Sequence, residues 1–240
     1  MMNQNFTMLF WRKPSKKEKP FEQIAEETYK MFMVFMEKLP ENLRPNFKTV
    51  SKLGDAKLYD WSFENFSQDL EKGVNHTRDK VFRDLGYSLS FFSSLDNKES
   101  CGYMAKVGVT RKDFIDTFIV EFPVGFDYFS EENASMLEEI FCRCLEIFNP
   151  YYACFANSKV KTSYSYLSDD DKPLDAHWLN YFSHDMMKHI KKGSIKRLER
   201  DFDGFEFHDG FIKIQRTPLN AENQKDLELK EQVEGLLFDK

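Results

Sequence analysis

Histidine and cysteine side chains could bind a metal ion or act as nucleophiles, but their spacing in this chain indicates neither. His184 and His189 are five residues apart, which places them on different faces if the segment is helical. Cys142 and Cys144 are i and i+2 on a predicted helix and point apart for the same reason. A zinc site needs converging ligands. The sequence therefore predicts no metal site, no cofactor and no catalytic residues.

Aspartate is the other residue type with a suggestive pattern. Asp169, Asp170 and Asp171 resemble half of a calcium-binding loop, but the required glycine and terminal glutamate are absent. Consecutive acids are more typical of a solvated loop. Neither a nucleophile elbow (GxSxG) nor a phosphate-binding loop occurs. Paired carboxylates for acid–base catalysis remain an open alternative with no specific support.

The aspartates lie within an aromatic-rich stretch, residues 149–183, which is the best candidate for a binding site. Its aromatic residues predict two strands, and the run SDDDKP between them predicts a loop. An acidic loop held between strands is suited to a basic partner. The alternative for the aromatic residues, Trp178 above all, is packing in the core. The predicted partner-binding residues are Asp169, Asp170, Asp171, Asp175, Tyr164, Tyr166, Trp178 and Tyr181.

Composition limits the classes of function. With 240 residues, 41% of them hydrophobic, and 25 Phe, the chain can bury a substantial core as one domain, residues 1–240. A formal net charge of −6 disfavours a general nucleic-acid binder. The short apolar run 6–11 precedes its basic residues, the reverse of a signal peptide, and no run is long enough to span a membrane. Four scattered cysteines fit reduced thiols, so we expect a cytoplasmic protein.

Apolar periodicity predicts an α+β fold with an antiparallel, meander-type sheet and helices mainly on one face. The best-defined helix spans 130–148, with Ser130 as its cap and Glu131 and Glu132 favoured by the helix dipole. Short turns between strands favour hairpins over crossovers. The other predicted helices are 20–39, 64–85 and a terminal one from Asn220, and the predicted strands outside the aromatic stretch are 6–11, 47–52, 87–95, 102–109, 114–123, 195–202 and 210–217.

In this order the chain resembles the immunity protein 52 family, whose members lie beside secreted polymorphic toxins in bacteria. The likeness covers most of the chain and includes RPNFKTVSKLGDAKLYDW, SLSFFSSL, FIVEFP and EIFNPYYACFANSKV. Its most specific part is HWLNYFS, residues 177–183, which is similar to the family's Gly-Trp-x-x-Tyr signature. The closing GFIKIQRTPLNAENQKDLELKEQVEGLL is similar to the family's last strand and terminal helix. No catalytic residues come with the resemblance.

The resemblance implies a non-catalytic immunity protein of the polymorphic-toxin or type VI secretion kind, which binds and occludes a cognate toxin. The partner is expected to be a basic nuclease, because a surface that holds phosphates is basic and an acidic inhibitor can compete for it. One alternative is an interaction or scaffold module for a non-toxin partner, and another is an enzyme of unrecognised type. The sequence leaves the oligomeric state open.

Overall fold

The fold is built on a single antiparallel sheet whose strands differ in length. The computed structural model describes residues 4–15, 17–96, 98–161, 165–167 and 172–238. Within these residues the sheet has nine strands in the order β2-β3-β4-β5-β1-β6-β7-β9-β8, and every neighbouring pair is antiparallel. The strands are β1 (Phe6–Arg12), β2 (Phe47–Lys48), β3 (Tyr87–Phe92), β4 (Gly102–Val107), β5 (Asp116–Phe122), β6 (Tyr152–Asn157), β7 (Leu179–Phe182), β8 (Glu206–His208) and β9 (Phe211–Lys213). This confirms the predicted α+β class and its meander-type sheet.

Five α-helices accompany the sheet in the described residues: α1 (Phe21–Lys38), α2 (Phe63–Lys72), α3 (Glu131–Phe148), α4 (Ser194–Asp201) and α5 (Gln224–Leu237). The predicted cap of α3 is present, since the backbone N–H of Asn133 donates to Ser130 Oγ at 3.3 Å. Asn149, with φ +48°, ends α3 in the left-handed conformation that asparagine tolerates.

Helices α1, α2 and α3 pack on one face of the sheet, where the aromatic core lies. Alternation along β1 directs Phe6, Met8 and Phe10 to this face. The Phe10 ring lies 5.2 Å from that of Phe141 in α3. Burying one such aromatic side chain contributes about 1.5–3 kcal/mol. The core therefore joins the first strand to the best-predicted helix.

Two sequence-based assignments were wrong. Residues 195–202, predicted as a strand, form most of α4, and their apolar residues Ile195, Leu198 and Phe202 have the i, i+3, i+7 spacing of a helix. The helix predicted over 64–85 ends at Lys72. Gly73 follows, and a Cβ there would lie 2.0 Å from the Ser88 carbonyl oxygen, so the chain must pass β3 at this point without a side chain.

Other predicted elements exist with shorter limits. Strand β2 has two residues where six were expected, and β9 has three within the predicted 210–217. The terminal helix starts at Gln224 and not at Asn220, because the side chain of Asn223 caps it by accepting from the Lys225 N–H at 3.1 Å. These differences move element ends and leave the order of elements unchanged.

Candidate functional site

Within the described residues, no helix covers one side of half of the sheet, and we call this side the open face. Helices α1–α3 cover one side of β3, β4 and β5, while the alternate side chains on the other side are half-buried or exposed. Ser90, Met104 and Ile119 are direct neighbours across the three strands, and Met104 is 45% exposed. The open face consists of Ser88, Ser90, Phe92, Gly102, Met104, Lys106, Thr117, Ile119 and Glu121.

The open face becomes more apolar toward the β2 edge. Phe47 of β2 is paired with Phe92, and their rings stack with centroids 5.3 Å apart. Leu58 forms an isolated bridge with Phe47 and is 76% exposed. A leucine exposed to this extent beside two half-buried phenylalanines forms an apolar strip of the kind that marks contact surfaces.

The opposite border of the open face is aromatic. Trp11 is the neighbour of Thr117 across β1 and β5, and Tyr166 meets Trp11 edge-on at 5.8 Å. Leu167, which follows Tyr166, forms an isolated antiparallel bridge with Pro173. The predicted contact residues Asp169, Asp170, Asp171 and Tyr164 lie outside the described residues.

The described members of the predicted set do not share one surface. Asp175 and Trp178 are buried, at 0% and 2% exposure, which corrects the expectation that they contact a partner directly. The indole N–H of Trp178 donates to the Gln215 carbonyl at 2.9 Å, so the core alternative holds for this residue. Tyr181 is half-buried in β7 and is paired with Ala153, the neighbour of Phe10, which places it on the side of α3. Tyr166 alone lies at the border of the open face.

Asp175 belongs to a buried charge cluster that sequence analysis missed. Lys230 Nζ donates to Asp175 Oδ1 at 3.0 Å and also to Glu234 Oε1. Glu234 accepts in addition from the backbone N–H of Ala176 at 2.8 Å. All three charged side chains are at most 3% exposed. The cluster fastens α5 to the chain just after the acidic segment.

His177 lies beside this cluster without joining it. Its backbone N–H donates to Asn180 Oδ1 at 2.9 Å, and its ring nitrogen Nε2 has no hydrogen-bond partner. Burial disfavours the charged ring and lowers the pKa of His177 to about 3, against the opposing influence of Asp175. The imidazole is therefore neutral in the folded protein and is not poised for acid–base catalysis near neutral pH.

A cleft of about 520 Å³ lies at one end of the sheet and is large enough for a small molecule. Four of its charged groups pair with each other: Arg12 with Glu27 at 2.9 Å and with Asp116 at 2.8 Å, and Lys19 with Glu27 at 2.7 Å. Burial raises the pKa of Asp116, although Arg12 opposes the shift. No histidine or cysteine lines the cleft among the described residues. The arrangement is that of an ion-pair network between β1, β5 and α1.

The described residues hold no group of three or more His, Cys, Asp or Glu side chains that could bind a metal ion. The cysteines are free, and burial raises the pKa of Cys101 to about 12 and that of Cys142 to about 11. Such thiols are poor nucleophiles at neutral pH. In the same part of the chain, no helix has the length and apolarity needed to cross a membrane.

Among solved structures, the fold is shared with the Pseudomonas aeruginosa T6SS protein PA0821. The two chains superpose with a TM-score of 0.61 at 9% sequence identity, over 97% of this chain and 73% of that chain. At so low an identity, the superposition shows a shared fold alone. No family model matches the chain, and no curated protein matches it. The resemblance to the immunity protein 52 family therefore stays a prediction.

Replacing Lys230 by Met tests the buried charge cluster. We expect the free energy of unfolding to fall by about 3–5 kcal/mol, because Asp175 and Glu234 would stay buried without their cation. Urea denaturation measures the change. Lys225→Met, an exposed lysine on the same helix, is the matched control and should change stability by less than about 0.5 kcal/mol. A loss below about 1 kcal/mol for Lys230→Met would contradict the described pairing.

The neutral state of His177 predicts a pH dependence. The unfolded chain binds a proton near the ordinary pKa of 6.5, and the folded protein only near 3, so stability falls as the pH drops through this window. The slope from this one group approaches about 1.4 kcal/mol per pH unit. In urea denaturation series, His177→Gln should lose less stability than the wild type between about pH 6.5 and 4.5. The exposed His184→Gln is the control, and parallel wild-type and His177→Gln curves would show that folding does not lower the pKa of His177.

Proposed function

We propose that this chain is a cytoplasmic immunity protein that binds and neutralises a cognate secreted bacterial toxin by occluding it, without catalysis. The observation that carries the proposal is the open face, the side of β3–β5 that no described helix covers, with Tyr166 and the paired residues Leu167 and Pro173 at its aromatic border. The shared fold with a T6SS protein and the resemblance to the immunity protein 52 family support it.

The size of the open face sets a condition on the contact. Three strands of about 20 Å, spaced about 4.8 Å apart, present roughly 300 Å². A stable interface buries about 800 Å² on each partner. The toxin must therefore also contact the borders, which are the apolar strip of Phe47 and Leu58 on one side and Trp11, Tyr166 and the acidic segment on the other. In this arrangement Met104 and Ile119 lie at the centre of the contact, with an apolar border at the β2 edge and an aromatic border at the other.

The acidic segment suggests what the toxin presents. A nuclease surface that holds phosphates is basic, and carboxylates in the same place attract it at long range and compete with the nucleic acid. We propose Asp169, Asp170 and Asp171 as the residues that steer association. Met104 and Ile119 then supply the apolar contact that opposes dissociation.

An interaction module for a non-toxin partner is the second candidate. The exposed Leu58 favours it because it lies at the β2 edge, on the opposite border of the open face from Tyr166, where a partner without basic charge could bind. Co-expression with candidate secreted toxins separates the two. Protection of the cell together with a co-purifying complex supports the immunity role. If the toxin still kills the cells and no complex forms, the open face is better explained as the binding surface of an interaction module.

Charged substitutions on the open face should break the complex. Met104→Arg combined with Ile119→Arg places two charges at the centre of the proposed contact, and we expect toxin affinity to fall by about 100-fold or more, mainly through faster dissociation. The matched control is Phe63→Arg with Leu53→Arg, two exposed apolar residues outside the open face. Calorimetric titration measures both variants. Equal affinity for the open-face variant and the wild type would exclude this surface.

Neutralising the acidic segment should change the rate of association with the toxin and not the rate of dissociation. Replacing Asp169, Asp170 and Asp171 by Ala should slow association and reduce its dependence on salt, with dissociation little changed. Stopped-flow association at low and moderate salt measures this. Glu64→Gln, Glu71→Gln and Asp79→Asn remove the same charge from an exposed surface elsewhere and form the control. An unchanged association rate at low salt would remove the segment from the encounter.

A further inference from the structure

The side chains of the open face form three rows that run across β3, β4 and β5, because antiparallel partners lie side by side. The first row is Phe92, Gly102 and Glu121, the central row is Ser90, Met104 and Ile119, and the third row is Ser88, Lys106 and Thr117. The first and third rows lie about 13 Å apart, four residues along each strand.

Long and short side chains are distributed between the two outer rows in a regular way. On each strand one outer row has the long side chain and the other row has the short one: Phe92 and Ser88 on β3, Lys106 and Gly102 on β4, and Glu121 and Thr117 on β5. A surface of this kind is complementary to itself when one copy is turned so that its first row meets the third row of the other.

Gly102 leaves a notch in the first row. A Cβ at this position would contact only the Glu121 side chain, at 3.8 Å, among the described residues. Phe92 and Glu121 are the cross-strand neighbours of Gly102 and border the notch on its two sides. The notch has room for the aliphatic part of a lysine side chain, and the Glu121 carboxylate lies beside it to receive the ammonium group.

Lys106 and Glu121 carry the two charges of the open face. Glu121 is exposed, and Lys106 is half-buried with its Nζ 4.8 Å from the centroid of the exposed Phe114 ring. In the part of the chain that the structure describes, neither residue makes an ion pair. They lie in opposite outer rows on neighbouring strands, with Cα positions about 14 Å apart. Each charge is therefore available to the opposite charge of another molecule.

We infer that a second copy of this chain docks on the open face, with the two sheets face to face across a two-fold axis. The axis lies between the sheets along the central row, so that Met104 and Ile119 of both copies meet there. Lys106 then enters the notch at Gly102 of the second copy and reaches its Glu121. Because the axis repeats every contact, two such ion pairs form and fix the register of the dimer. Strands of sheets packed in this way lie within about 30° of each other.

The size of the open face sets the strength of this dimer. Two copies of β3–β5 bury roughly 600 Å² in total, whereas stable interfaces bury about 1,200 Å² or more. We therefore expect a reversible dimer with a dissociation constant on the order of 10 µM. The dimer covers the surface that we propose for the toxin, so that toxin and second copy exclude each other. That exclusion rests on the proposed function, and the dimer itself does not.

Sedimentation equilibrium of the chain alone, from about 1 to 200 µM, tests the inference. The wild type should dimerise reversibly over this range. Lys106→Glu alone and Glu121→Lys alone should each weaken the dimer by about tenfold or more, because like charges then meet at both contacts. An equimolar mixture of these two variants should form a mixed dimer of about wild-type affinity, since every contact again joins a positive to a negative charge. The mixed dimer would also show that both variants are folded.

Lys30→Glu combined with Glu26→Lys is the matched control. It reverses an exposed pair on α1, on the other side of the sheet, and should dimerise like the wild type. Three results would overturn the inference: a monomeric wild type at every concentration, a mixture of the single variants that stays monomeric, or an equal loss in the control. Because the chain is measured without toxin, each of these results leaves the proposed immunity function to be decided by co-expression.

Discussion

The position of β1 is the constraint on which the rest of the structure depends. It is the fifth of nine strands in the described sheet, between β5 on one side and β6 on the other. The two halves of the sheet, β2–β5 and β6–β9, are therefore joined through this strand. Its Phe6, Met8 and Phe10 enter the aromatic core, while Arg12 ties its end to Asp116 and Glu27. Both the core and the end cleft follow from this placement.

The two halves of the sheet have different roles in the proposed contact with the toxin. Over β3–β5 one face is uncovered, whereas near β6 and β7 the chain that follows the acidic segment is fastened to α5 by Lys230 between Asp175 and Glu234. A buried ion cluster adds little net stability compared with apolar packing, but it fixes position. Here it fixes Asp175 and Ala176, and Tyr166 earlier in the same stretch contacts Trp11 at the border of the open face.

Periodicity was sufficient to predict the order of most elements, because buried stripes such as that of α3 dominate local sequence. The strand prediction at 195–202 was wrong although Ile195, Leu198 and Phe202 have helical spacing, because three apolar residues in so short a segment do not separate a helix from a strand. The alternation of Ser88 and Ser90 with the apolar Leu89 and Phe91 in the sequence is the signal that indicates the open face. No such signal indicates the burial of Asp175, because its partner Lys230 is 55 residues away and only the tertiary fold brings them together.

The central place of β1 also has a consequence during synthesis. The ribosome releases this strand before either of its neighbours, and β5 and β6 begin only at Asp116 and Tyr152. Until then the apolar run FTMLFW has both edges unpaired, and such segments are prone to associate with other chains. Pairing across so many residues is slow. We therefore expect nascent chains of this protein to need chaperone protection until more than half of the sequence has been translated.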